Sequence, residues 1–166
     1  MAETSLSSIT ASFWRAACLV GGLLCLWMWI LPAHADAPVM QQGTSTKSFD
    51  DVIFDLEFAI TQRNFRITAR NNIGRGIRQR GFKDFPQVII IQFCNLTYAR
   101  EALEIDPNFI THMPCRVAVY DHGERIRVST TSLPENTDEP RVNAFSHKIN
   151  IMLHNILNFA VGKAPP

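Results

Sequence analysis

Cys115-Arg116-Val117-Ala118-Val119-Tyr120-Asp121-His122-Gly123-Glu124-Arg125-Ile126-Arg127-Val128 is the stretch that decides the fold. Apolar and polar residues alternate on both sides of His122-Gly123, the period of a strand whose successive side chains face opposite ways. A two-residue loop there predicts a β-hairpin pairing Tyr120 with Arg125, Val119 with Ile126, Ala118 with Arg127 and Val117 with Val128. The register checks itself: Val117, Val119, Ile126 and Val128 share one face, and Arg116, Tyr120, Arg125 and Arg127 share the other. An antiparallel sheet with one buried and one solvated face is the expectation.

Upstream, Pro114 sits where a strand tolerates proline, at its opening. Val88 to Phe93 is apolar on both alternations, which predicts a central strand covered on two sides. Asn95 is a good N-cap for a short helix carrying Leu96, Ala99 and Leu103, which Asp106-Pro107 ends. Phe65, Ile67 and Ala69 alternate with Arg66, Thr68 and Arg70 as a half-buried strand. Between these strands, residues 74–83 carry four cations, three glycines and no acid. Neither a dinucleotide fingerprint nor a P-loop fits that run, so it reads as a solvated loop or short helix, with an anion-binding loop as the alternative.

Ser48 and Asp51 have the spacing of a capping box, and Val52, Ile53, Leu56, Ala59 and Ile60 follow at helical intervals to about Arg63. Phe54 and Phe58 fall on the opposite side of that helix, as scattered surface aromatics or as a partner surface. Downstream, Thr137 or Asp138 can cap a last helix with Pro140 in its first turn and Gly162 as its stop. Its stripe is Val142, Phe145, Ile149, Met152, Leu153, Ile156 and Ala160, while His147, Ile151 and His154 point away. The order β-α-β-β-α-β-β-α gives an α+β class: a single antiparallel sheet with helices packed on one face.

At the N-terminus, Ala16 to Ile30 is apolar and uncharged, and Ala33-x-Ala35 has a cleavage signature; residues 1–35 read as a signal peptide or an uncleaved anchor. Residues 36–47 are a polar tether running into a weak first strand over Val39 to Thr46, and residues 48–163 form the single domain. The protein is expected to be periplasmic or secreted, touching a membrane only through the N-terminal segment if that stays uncleaved. Cys18 and Cys25 lie in that segment, leaving Cys94 and Cys115 in a compartment that permits disulfides. With 166 residues, 46% hydrophobic and a net charge of +1, the chain has enough apolar material for one core and too little charge for nucleic-acid binding by bulk electrostatics.

Phe49-Asp50-Asp51, Arg80-Gly81-Phe82, Gln92-Phe93-Cys94-Asn95 running through Ala99, Leu103 and Asp106-Pro107, and Met113-Pro114-Cys115-Arg116-Val117-Ala118-Val119-Tyr120 together resemble the domain-of-unknown-function 302 family. The resemblance spans about Thr44 to Leu133. It implies a fold of the TATA-binding-protein-like class, a homodimer and no established activity. His112-Met113 stands where the family pattern has two aliphatic residues.

Two candidate sites follow. Cys94 precedes the helix cap Asn95, where free N–H groups and the helix dipole favour a thiolate, and Cys115 opens the next strand. The pair reads three ways: buried small hydrophobes, a disulfide or reversible thiol pair worth roughly 3 kcal/mol, or, with His112 and Met113, ligands for Cu(I) or Zn(II). The second site is the sheet face of Arg66, Arg70, Arg116, Tyr120, Arg125 and Arg127, which suits a small anionic ligand or an acidic protein partner. No hydrolase triad, paired-carboxylate or H-E-x-x-H pattern is present in the sequence. These observations converge on an exported binding module, with a thiol redox or sulfur-transfer protein, or a soft-metal carrier, as the alternatives.

Overall fold

Ile89, Ile91 and Phe93 alternate with Val88, Ile90, Gln92 and Cys94 along one strand, and only the first three are buried. That contrast runs through the whole sheet of this computed structural model, which describes residues 39–163. Five strands, β1 (Met40–Ser45), β2 (Arg66–Asn71), β3 (Val88–Cys94), β4 (Cys115–Asp121) and β5 (Ile126–Thr131), form one antiparallel sheet in the order β1-β5-β4-β3-β2. The helices are α1 (Phe49–Gln62), α2 (Ile73–Arg78), α3 (Leu96–Ile105) and α4 (Pro140–Ala160), with a 3-10 helix over Pro107–His112. The α+β class and the single antiparallel sheet are as expected; α2 and the 3-10 helix are additions to the element order. The expected signal segment lies outside the described residues. Among those described, no helix is long and apolar enough to cross a membrane.

Helices α1 and α4 pack against each other and on the sheet, and Val52, Leu56, Ala59 and Ile60 meet Ile149, Leu153, Ile156 and Leu157 in one core with Ile91, Phe93, Val117, Val119 and Val128. Burying such side chains stabilises by roughly 1.5–3 kcal/mol each. The caps are largely those the sequence suggests. Ser48 Oγ accepts from Asp51 N–H at 3.1 Å, and Gly162 ends α4 at φ 75°. The N-cap of α4 is Glu139, not Thr137 or Asp138; Thr137 instead bonds Asn143. Gly43 in β1 lets α4 approach the sheet edge, since a Cβ there would come within 2.7 Å of Leu157 Cδ2. Of the two exposed aromatics of α1, Phe58 stacks on Phe159 of α4 at 5.6 Å.

Four further expectations need correction. The hairpin closes on Asp121 and Ile126, with Tyr120 opposite Arg127, Val119 opposite Val128 and Val117 opposite Thr130, a shift of two residues from the expected pairs. A two-residue type I′ loop needs left-handed backbone at both central residues. Gly123 has it at φ 84° and His122 does not. The loop therefore takes four residues, with His122 N–H donating to Arg125 O at 3.0 Å and Gly123 N–H to Asp121 Oδ1 at 2.8 Å. Because the shift is even, every side chain keeps its face.

The second correction is in β2. Ile67 lies opposite Phe93 but Ala69 opposite Gln92, so Thr68 is the extra residue of a β-bulge. Beyond it the faces exchange: Ala69 turns to the uncovered side, and Arg70, opposite Ile91, turns to the helix side. The third concerns α3, whose inner side is Tyr98, Ala102 and Ile105. Leu96 is 83% exposed and Leu103 lies outside the core, because the cap at Asn95 fixes a helix phase that points them to solvent. Val88 and Ile90 are only partly buried, so the apolar run of β3 marks an interior strand flanked by β4 and β2 and not one covered on two sides.

Candidate functional site

The end of β3, the start of β4 and the elements between them enclose a cavity of about 40 Å³. Cys94, Cys115, His112 and Met113 line it together with Phe65, Tyr98, Ala102, Phe109, Phe145 and Ile149. The walls are held by aromatic contacts. Phe65 meets Phe93 edge-on at 5.4 Å and Tyr98 at 5.9 Å, and Phe109 meets Phe145 edge-on at 5.3 Å. Such pairs add roughly 0.5–1.5 kcal/mol beyond their buried area. Lys148 of α4 sits 4.8 Å over the Tyr98 ring and reaches Glu101 at 3.0 Å, tying α3 to α4 across the outside of the cavity.

Cys115 lies opposite Phe93, so Cys94 stands one residue beyond the partner position. Strand spacing and rise put the two Cα atoms roughly 6 Å apart, within the span of a disulfide. Both cysteines are free. By alternation their side chains start from opposite faces, but Cys94 is the last residue of β3, where the chain leaves the sheet, and both line the one cavity. A second cavity of about 40 Å³, bordered by Pro114, Arg116, Thr131, Leu133 and Leu153, also touches Cys115 and His112.

The chemistry of the two sulfurs differs. Burial pushes the Cys115 thiol up to about 11, the nearness of Cys94 pushes the same way, and its own backbone and Arg116 offset part of this. Cys115 is therefore a neutral thiol at neutral pH, a soft apolar wall and a poor nucleophile. The helix start beside Cys94 is also already engaged. Asn95 Oδ1 accepts from Thr97 N–H at 2.9 Å and Tyr98 N–H at 3.1 Å, and Asn95 Nδ2 donates to Asn64 O at 2.8 Å. The amides expected to favour a Cys94 thiolate are bonded to the cap instead. For the expected metal site, Cys94, Cys115 and His112 share the cavity wall, but among the described residues no three His, Cys, Asp or Glu side chains are grouped to hold an ion.

The arginine face is smaller than the alternation predicts. Arg66, Arg116 and Arg127 are exposed on the side away from α1 and α4, with Tyr120 beside them. Arg70 is across the bulge, bonding both Glu57 oxygens at 2.6 and 2.8 Å. Arg125 belongs to the hairpin loop. In the basic run, Arg78 donates to the Phe85 and Pro86 carbonyls and Arg80 to that of Gly76, so two of its cations hold the loop itself. His147 meets Glu135 at 3.0 Å, and Asn150 and His147 together hold the Glu135 carboxyl below its ordinary range.

Sequence reasoning found the sulfurs of this cavity and missed its aromatic walls. Phe109 falls in the 3-10 helix, and no periodicity marks so short an element. Tyr98 and Ala102 were hidden by the apparent Leu96/Leu103 stripe.

Comparison with known proteins gives two findings. The family model described as "Domain of unknown function DUF302" matches residues 41–160. The crystal structure of an uncharacterized conserved protein DUF302 from Bacillus stearothermophilus is similar in fold, with a TM-score of 0.65 and 17% sequence identity over 75% of this chain and 99% of that one. Among curated proteins, none matches.

Proposed function

We propose, for a chain that belongs to the DUF302 family, that it is an exported, dimeric binding module whose site is the sulfur-lined cavity at the Cys94 and Cys115 end of the sheet. The observation that carries this reading is the gathering of Cys94, Cys115 and Met113 with aromatic walls on one cavity. Free cysteine and methionine are soft, polarizable packing groups that also make favourable contacts with aromatic edges. A volume of about 40 Å³ admits a methyl- or thiol-sized group and not a whole metabolite. The site thus takes the apolar or sulfur-bearing end of a ligand whose remainder stays outside.

Ethanethiol titrated into the protein, followed by NMR, tests this. Shifts should concentrate at Cys94, Ala102 and Cys115 and disappear in Ala102→Leu, where the added methyl groups fill the space. Shifts scattered over the surface, or unchanged in Ala102→Leu, would overturn it. Thiol redox chemistry is the second reading, favoured by the Cα separation; an air-stable Cys94–Cys115 disulfide that glutathione reduces would favour it over the first.

A further inference from the structure

The helix-covered side of the sheet supplies the cavity; the other side supplies a surface. We infer that the sheet face opposite α1, α3 and α4 docks an acidic, extended segment of a partner polypeptide. Arg66, Arg116 and Arg127 project from it, all exposed and, among the described residues, none in an ion pair. The strand register places no Asp or Glu on that face. Glu124, in the hairpin loop, borders an open groove of about 290 Å³ with Arg125, Arg127, His122 and Thr44. Bare guanidinium groups on a surface without carboxylates match a partner that brings its own, and each offers a bidentate fork to one.

Spacing selects the shape of the partner. Arg66 is level with Cys94, Arg116 with Gln92, and Arg127 with Tyr120. Strand separation and rise then put Arg66 and Arg116 roughly 12 Å apart, Arg116 and Arg127 roughly 14 Å, and the outer two roughly 25 Å. No single carboxylate or phosphate bridges such gaps. An extended peptide advances about 3.3 Å per residue, so an acid at every fourth position meets one arginine after another.

The floor between the arginines selects the chemistry. Val88, Ile90 and Ala118 are partly exposed at its centre. A polypeptide can set apolar side chains there between its acids, which a sugar-phosphate backbone cannot. The same face of a second copy would set arginine against arginine, and the repulsion argues against pairing of that kind.

The test is fluorescence anisotropy with the full chain and a labelled peptide of three Glu-Ser-Val-Ser repeats, alongside the Lys-Ser-Val-Ser peptide and a single-stranded oligothymidylate. The acidic peptide should bind, weaken as salt rises through the range that screens surface charge, and lose about tenfold or more in affinity in the R66Q/R116Q/R127Q variant. R100Q/R141Q, which removes charges from the α3 and α4 helices, should leave affinity unchanged. Every substituted side chain in the first variant is exposed, and an unchanged melting temperature confirms that it folds. Equal loss in both variants, equal binding of the lysine peptide, preference for the oligonucleotide, or no binding of the acidic peptide would each overturn the inference.

Discussion

Ile90 and Ile91 occupy consecutive positions on β3, yet Ile91 is fully buried under the helices and Ile90 remains partly accessible on the other side. The covered face carries Phe93, Val117, Val119 and Val128, all with no exposed area. The other carries Arg66, Arg116, Arg127, Gln92 and Tyr120 around a small apolar centre. One face therefore supplies stability and the other is left open to solvent, and the difference is set by a two-residue period along the strands.

The sharpest way to break this comparison is to truncate the two neighbours in turn. Ile91→Ala should cost about 2–5 kcal/mol, since it leaves a cavity among side chains fixed on every side. Ile90→Ala should cost well under half as much, because solvent and flexible surface groups refill the space. Urea denaturation of both variants reads the difference. Equal losses would mean that the second face is also sealed.

The expected contrast was legible in the hairpin sequence, because even a two-residue error in pairing leaves Val117, Val119, Ile126 and Val128 on the core side. The same tolerance is why the error was invisible: alternation fixes faces, while register depends on whether His122 accepts a left-handed backbone, which no pattern states. The helix α1 was legible from Ser48 to its buried stripe because cap and period agree. In β3, where both alternations are apolar, the period carries no sign, and the run could not tell an interior strand from a doubly covered one. The site was half legible. Cys94 and Cys115 stand out by residue type, whereas Phe65, Phe109 and Phe145 come together only through tertiary contacts.

Cys115 extends the comparison to chemistry, since it lies on the covered side and titrates accordingly. Its thiol rises from 9.0 to about 11 in the folded protein. The folded state thus holds a proton that the unfolded chain gives up, so the contribution is complete below pH 9 and is lost as pH rises towards 11. The loss amounts to about 2–3 kcal/mol. Denaturation measured at a series of alkaline pH values should show it as the part of the decline that Cys115→Ala abolishes. A decline identical in the variant would place Cys115 in contact with water and remove it from the covered side.

The smallest effect tests how the faces are assigned at the sheet edge. Arg70 should belong to the arginine face by simple alternation, but the bulge at Thr68 hands it to Glu57 of α1. The guanidinium is 52% exposed, so the pair is worth about 0.2–1 kcal/mol in spite of its two-pronged geometry. A double-mutant cycle between Glu57→Ala and Arg70→Ala measures that coupling. Deleting Thr68 adds a test of the register. The residues beyond the bulge already pair as Ala69 with Gln92, Arg70 with Ile91 and Asn71 with Ile90, and without Thr68 alternation from Ile67 also puts Arg70 on the helix side, so the coupling should persist. A coupling that falls to zero would mean that the shortened β2 has slipped by a residue against β3 and lost the Arg70–Ile91 pairing.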